Sequence, residues 1–141
     1  MRVMDRVLVD TDILSDFLRG KNAAVQKRAL AYLAQYGRLT LSVITVFEIV
    51  RGRHHAGQLD RAAEFLAWTH NAEVLTFDVA SAVRAGEIAG SLYQAGKPLA
   101  VADVVIGATA LVHGLGVASA NVRHYEPLVP LGLSVENWRD A

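Results

Sequence analysis

Apolar residues in this chain gather into short runs that switch between two periods, one suited to strands and one to helices. The run RVLVD (6–10) is rich in Val and stops at an acid; TDILSDFLRG, which follows, carries Ile13, Leu14, Phe17 and Leu18 at helical spacing before Gly20. This predicts a buried strand running into an amphipathic helix. Asn22 is placed to cap a second helix bearing Val25, Ala29, Leu30 and Leu33, closed by Gly37. RLTLS (38–42) predicts a second strand. Over 43–55, Ile44, Phe47 and Ile49 or Val50 recur at helical spacing, which outweighs the β-branched content and predicts a helix.

Beyond Gly57, residues 59–69 read as another amphipathic helix, and EVLTF (73–77) has the strand signature. Asp78 is a suitable cap for a helix reaching Tyr93, and Gly96, Lys97 and Pro98 then punctuate the chain. The segment DVVIGATALVH (103–113) is small and apolar almost throughout, as expected of a helix buried against a sheet on most of its circumference. GVASA (116–120) and LSVEN (133–137) read as the last strands. Strands separated by helices throughout predict an α/β fold with a mainly parallel sheet and right-handed crossovers.

Against this pattern a few charges stand in apolar company, where an unpaired carboxylate is costly or shifts its pKa. Asp10 ends the first strand, Glu48 interrupts VITVFEIV, and Asp103 opens the most hydrophobic helix. Each has a purely structural alternative. Asp10 and Asp103 suit helix caps, and Glu48 suits a helical ion pair with Arg51. Taken together they suit a hard divalent cation, which prefers oxygen ligands and, for Mg²⁺, takes one or two carboxylates with waters and phosphate oxygens. Strand ends are where ligands sit in open α/β sheets, and Asp10 is at such an end.

Composition bounds the possibilities. At 141 residues, 52% hydrophobic, the chain encloses one core, and a single domain over 1–141 is expected. There is no cysteine, so thiolate metal sites, disulfides and a cysteine nucleophile are excluded. Apolar runs stop short of the roughly 18 residues of a membrane span, and Asp5 and Arg6 stand where a signal peptide needs its apolar segment, so a cytoplasmic protein is expected. Lys plus Arg and Asp plus Glu both total 14. Any contact with nucleic acid must therefore come from a local patch, for which Arg51, Lys97 and Arg123 are the candidates, while the run Arg53 to His55 also suits a solvated helix end. His113 is assigned to packing or to an end cap, and Trp68, Trp138 and the tyrosines to packing or to a partner surface.

With their surroundings, the acids resemble the PIN-domain ribonucleases, and specifically the VapC-type toxins of toxin–antitoxin pairs. VLVDTDILSDFLRG is similar to the family's opening strand, acid and helix, and LSVITVFEIVRG to its second block. VRAGEIAGSLYQAGKPLAVADVVIGATALVHG, from Val83, is similar to the third block; Gly86, Glu87, Ile88, Ile106, Ala108 and the closing Glu136, Asn137 and Trp138 fall in family order. The resemblance implies a five-stranded parallel sheet in the order 3-2-1-4-5 and cleavage of structured RNA (tRNA or rRNA) with Mg²⁺ or Mn²⁺.

It further implies Asp10, Glu48 and Asp103 as the catalytic acids. Asp10 and Asp103 would be direct metal ligands and Glu48 would act directly or through water, with Thr11 steadying the site. In the fourth block Ser119, Ala120 and Asn121 stand where the family often has an acid, which makes one well-held ion the expectation. Asp12 replaces the common Asn and either restores charge or caps the first helix. A homodimer, and an inhibitory antitoxin inserting a segment into the cleft, are implied as partners. Competing readings are a phosphatase of the haloacid-dehalogenase type using Asp10 in VLVDTDIL, a metal-free ribonuclease with His54 or His55 as base, and a PIN-fold interaction module without catalysis.

Overall fold

A computed structural model describes residues 4–140. Its centre is a five-stranded sheet, parallel throughout, in the order β3-β2-β1-β4-β5. The strands are short: β1 is Val7–Val9, β2 Thr40–Ser42, β3 Glu73–Leu75, β4 Gly116–Ser119 and β5 Val135–Asn137. Seven α-helices are present among the described residues: α1 (Thr11–Arg19), α2 (Ala23–Tyr36), α3 (Val43–His55), α4 (Leu59–Trp68), α5 (Val79–Gln94), α6 (Val101–His113) and α7 (Val122–Tyr125). The expected strand order and the α/β pattern are both found.

Alternation along the central strands divides the interior into two cores, because successive side chains of a strand point to opposite faces. Val7, Val9, Leu41 and Ala118 pack with Ile13 and Leu14 of α1, Val25, Ala29 and Tyr32 of α2, Ile49 of α3 and Phe65 of α4. Trp138, which follows β5, joins this core. Leu8 and Val117 point the other way, into Ala85 and Ile88 of α5, Val104 to Ala110 of α6, Tyr125 and Leu128. At Gly107 a β-carbon would overlap the end of the Leu128 side chain, so a larger residue there would require Leu128 to shift.

Boundaries differ from expectation in instructive places. Helix α6 starts at Val101, two residues before Asp103, and its N-cap is Ala100 without a side-chain hydrogen bond. Asp103 is therefore in the first turn and does not cap. Asp12 does not cap α1 either, since Asp10 holds that position. Strand β3 ends at Leu75, and the fourth helix ends at Trp68 and tightens into a 3₁₀ turn, Thr69–Asn71. Among the described residues no helix is long and apolar enough to cross a membrane.

The order of strands determines where a site can form. The chain builds β1, β2 and β3 outward on one side, then returns to place β4 against the other edge of β1. The crevice beyond the carboxyl ends of β1 and β4 is the switch point of the sheet. Asp10 leaves β1 there, and Ser119 and Asn121 leave β4.

Candidate active site

Asp10 is only 7% exposed, and every feature around it follows from the junction of β1 with α1. Its backbone N–H still belongs to the sheet, donating to the Ala118 carbonyl at 2.9 Å, while its extended φ and ψ make it the N-cap of α1. One carboxylate oxygen, Oδ1, accepts from the Thr11 backbone N–H at 2.6 Å. The other, Oδ2, accepts from the Ser119 hydroxyl at 2.8 Å and from the Tyr125 hydroxyl at 3.1 Å. Capping and site-building thus fall to the same residue.

Burial raises the pKa of Asp10, the Ser119 hydroxyl works against that rise, and the nearby charge of Asp12 adds to it. Asp103 is also held above its ordinary value, first by burial; the His124 imidazole offsets this and Asp12 again adds to it. The His124 Nδ1 lies 3.4 Å from Asp103 Oδ2. Tyr125 is fully buried, and burial together with Asp10 and Asp103 drives its phenol far above the usual range. Its hydroxyl stays protonated and serves as a fixed donor.

A second group of polar residues connects α1 to α3. Thr11 Oγ1 donates to Glu48 Oε1 at 2.7 Å and lies 3.0 Å from the hydroxyl of the buried Thr45. A hydroxyl has one proton, so when Thr11 gives its proton to Glu48 it receives one from Thr45. Glu48 is thereby oriented through one oxygen, and among the described residues its Oε2 has no protein donor. The expected ion pair with Arg51 is not formed; Arg51 lies over the Phe47 ring instead, 5.1 Å from its centroid.

The loop after β4 completes the crevice. Ser119 Oγ accepts from the Asn121 backbone N–H at 2.9 Å while donating to Asp10. Asn121 Nδ2 donates to Asp12 Oδ2 at 2.9 Å, joining two residues 109 apart in sequence. The carboxylates that act on one another are therefore Asp10, Asp12 and Asp103, with Glu48 standing to one side through Thr11. Among the described residues no three His, Asp or Glu side chains form a ready-made metal cage.

The donor set nevertheless suits one kind of ion. The carboxylates supply oxygen ligands, and two of them are held above their ordinary pKa by burial, a state that a bound cation relieves. Mg²⁺ keeps most of its waters and needs only one or two carboxylates. Each carboxylate oxygen has about two lone pairs; Asp10 Oδ2 already accepts twice, so Oδ1 is its remaining ligand atom. The residues fit a hydrated hard cation held by few protein ligands.

The family model described as PIN domain matches residues 7–127 of the chain. The chain belongs to the PIN-domain family. A relative in Shigella flexneri named tRNA(fMet)-specific endonuclease VapC is 27% identical over 136 residues, covering 96% of this chain and 99% of that protein. Among solved structures, this PIN domain is similar to one in DNA-bound VapBC from Salmonella typhimurium, with a TM-score of 0.81, 26% identity, and 96% and 99% of the two chains covered. It is also similar to a chain of FitAcB from Neisseria gonorrhoeae, with a TM-score of 0.72, 26% identity and the same coverage.

Of the residues singled out by sequence, the structure brings Asp10, Asp12, Asp103, Ser119 and Asn121 to one crevice and sets Thr11 and Glu48 on its flank. Arg51, Lys97 and Arg123 are exposed and make no hydrogen bond or ion pair with the acids among the described residues. His54 and His55 are exposed at the end of α3, without a hydrogen bond to any of the acids. Two participants escaped the sequence reading. Tyr125 reads from the sequence as a packing or partner-surface residue, and His124 carries no motif. A buried tyrosine needs a partner for its hydroxyl, but nothing along the chain names Asp10, 115 positions away.

Proposed function

We propose that this PIN domain is a VapC-type endoribonuclease, the toxin of a toxin–antitoxin pair, which cleaves structured RNA such as tRNA with Mg²⁺ or Mn²⁺. The observation that carries this reading is the trio Asp10, Asp12 and Asp103 at the switch point, where burial holds two carboxylates above their ordinary pKa and the only basic side chain paired to them is His124 among the described residues. The names of the relatives support the reaction and the substrate class, and the similarity to VapBC structures supports a protein antitoxin as the partner. The family match favours the nuclease over the phosphatase reading of VLVDTDIL.

Asp10, through Oδ1, and Asp103 would hold the ion, with Glu48 reaching it through water. A bound divalent cation supplies Lewis-acid polarisation of a phosphoryl oxygen and lowers the pKa of water. The chain's own residues do the rest. Ser119 and Tyr125 fix the Asp10 carboxylate by donating to Oδ2, which keeps Oδ1 turned outward. Thr11 fixes Glu48 through Oε1 and leaves Oε2 to accept a proton from an attacking water. His124, beside Asp103, is placed to donate a hydrogen bond to a phosphate oxygen.

The test uses the purified protein, free of any partner, with a tRNA transcript. Site-specific cleavage in Mn²⁺ that stops on adding a chelator is expected. Chelator-resistant cleavage contradicts the metal route, and release of phosphate from phosphomonoesters without RNA cleavage contradicts the nuclease reading.

A further inference from the structure

A cleft of about 810 Å³ opens between α1, α3 and α4, and its lining includes Thr11 and Glu48. The same lining holds four cations, Arg19, Lys21, Arg53 and Arg61, against the two acids Glu48 and Glu64. Among the described residues none of the four is in an ion pair. Three of them act on one another: burial and the charges of Arg61 and Arg19 hold the Arg53 guanidinium below its ordinary pKa. Its position is nonetheless fixed, since Arg53 Nη1 donates to the Arg61 carbonyl at 2.6 Å and the group lies 5.4 Å from the Phe65 ring centroid.

Helix dipoles account for half of this cluster. Arg19 and Arg53 are in the last turns of α1 and α3, where a cation is favoured. Arg61 is in the first turn of α4 and Lys21 directly precedes Asn22, the N-cap of α2, positions where a dipole disfavours a cation. A surface arranged for its own stability would not converge these four charges. An anionic chain lying in the cleft would compensate all of them.

We infer that this cleft binds the phosphate backbone of the RNA strand on one side of the scissile bond, with Arg19, Lys21, Arg53 and Arg61 as the phosphate contacts. The inference rests on the ribonuclease reading. It favours RNA because the cleft shares Thr11 and Glu48 with the catalytic crevice, so a strand reaching Glu48 from this side must pass the four cations. Their charges are unlike the base-edge contacts that read sequence, so they set position and affinity rather than specificity.

Fluorescence anisotropy of a labelled tRNA(fMet) transcript, titrated with the protein in chelator across a salt series, tests this. Arg19→Gln with Arg61→Gln is expected to weaken binding about tenfold or more and to reduce the slope of log K against log salt by about 1.4 to 1.8, near 0.7 to 0.9 per phosphate contact. In Mn²⁺ the same protein should show a raised KM and an unchanged kcat. Arg19→Lys with Arg61→Lys should restore the slope, and Arg84→Gln on α5 should leave it alone. An unchanged melting temperature separates lost contacts from lost fold. A wild-type slope in the double Gln variant, with cleavage intact, overturns the cleft inference alone. A reduced slope without any cleavage by the wild type overturns the nuclease reading alone.

Discussion

The two flanks of the β1 carboxyl end use the same chemistry, a hydroxyl donating to a carboxylate, to opposite effect. On the β4 side, Ser119 and Tyr125 hold Asp10 in a pocket where both donors are fully buried. On the α3 side, Thr11, itself supported by Thr45, holds Glu48 at the margin of an open basic cleft. The first is a buried carboxylate whose pKa burial raises; the second is half-buried, with one oxygen that accepts from no protein donor among the described residues. On the proposed reading, the difference in burial, more than the difference between Asp and Glu, suits one flank to holding an ion and the other to proton transfer.

The largest expected effect removes the ion-holding flank. Asp10→Asn or Asp103→Asn should lower RNA cleavage by ~10³ or more, with the circular dichroism spectrum unchanged. The Asn amide at position 10 can still accept from the Thr11 N–H, and the Ser119 and Tyr125 hydroxyls can turn to accept from its nitrogen. Wild-type rates in either variant would remove the acids from the mechanism. Next comes the proton-transfer flank: Glu48→Gln should cut kcat by about 10² to 10⁴ while the melting-temperature rise on adding Mn²⁺ persists. Loss of that rise would make Glu48 a direct ligand and erase the distinction between the flanks.

Tyr125→Phe sharpens the comparison from the supporting shell. Deleting a donor to a buried carboxylate should weaken Mg²⁺ binding about 10- to 100-fold and destabilise the protein by about 1.5 kcal/mol, as read from calorimetry and urea unfolding. The smallest effect is on pH dependence in chelator. Because the folded pKa of Asp10 is raised, the native state holds a proton that the unfolded chain has already released, so stability is greatest below the ordinary carboxylate pKa and falls as pH rises through the raised value. Asp10→Asn should flatten that fall. A urea midpoint that rises over the same window in wild type would contradict the burial argument.

The parts of this architecture written in local periodicity were readable from the chain. RVLVD reads as a buried strand, and the acid that ends it stands at a strand end, where ligands sit in open α/β sheets. The small residues of DVVIGATALVH foretold a helix pressed against the sheet, and Val104, Ile106, Ala108 and Ala110 pack with Leu8 of β1 and Val117 of β4. What was not readable depends on contacts between distant segments. Nothing local pairs Asn121 with Asp12, aims Tyr125 at Asp10, or brings Arg19 and Lys21 beside Arg53 and Arg61. Glu48 stands out in the sequence as an acid among apolar residues, but nothing local shows that the Thr11 hydroxyl donates to it at the margin of a basic cleft.

The central claim is that Asp10 and Asp103 form an ion-holding pole, and titration calorimetry with Mn²⁺ addresses it without relying on any RNA. The account predicts that the chelator-stripped wild-type protein binds Mn²⁺, that Asp10→Asn and Asp103→Asn each abolish or sharply weaken binding, and that Glu48→Gln retains it. Equal Mn²⁺ binding by the wild type and both Asn variants, or none by the wild type, would contradict it.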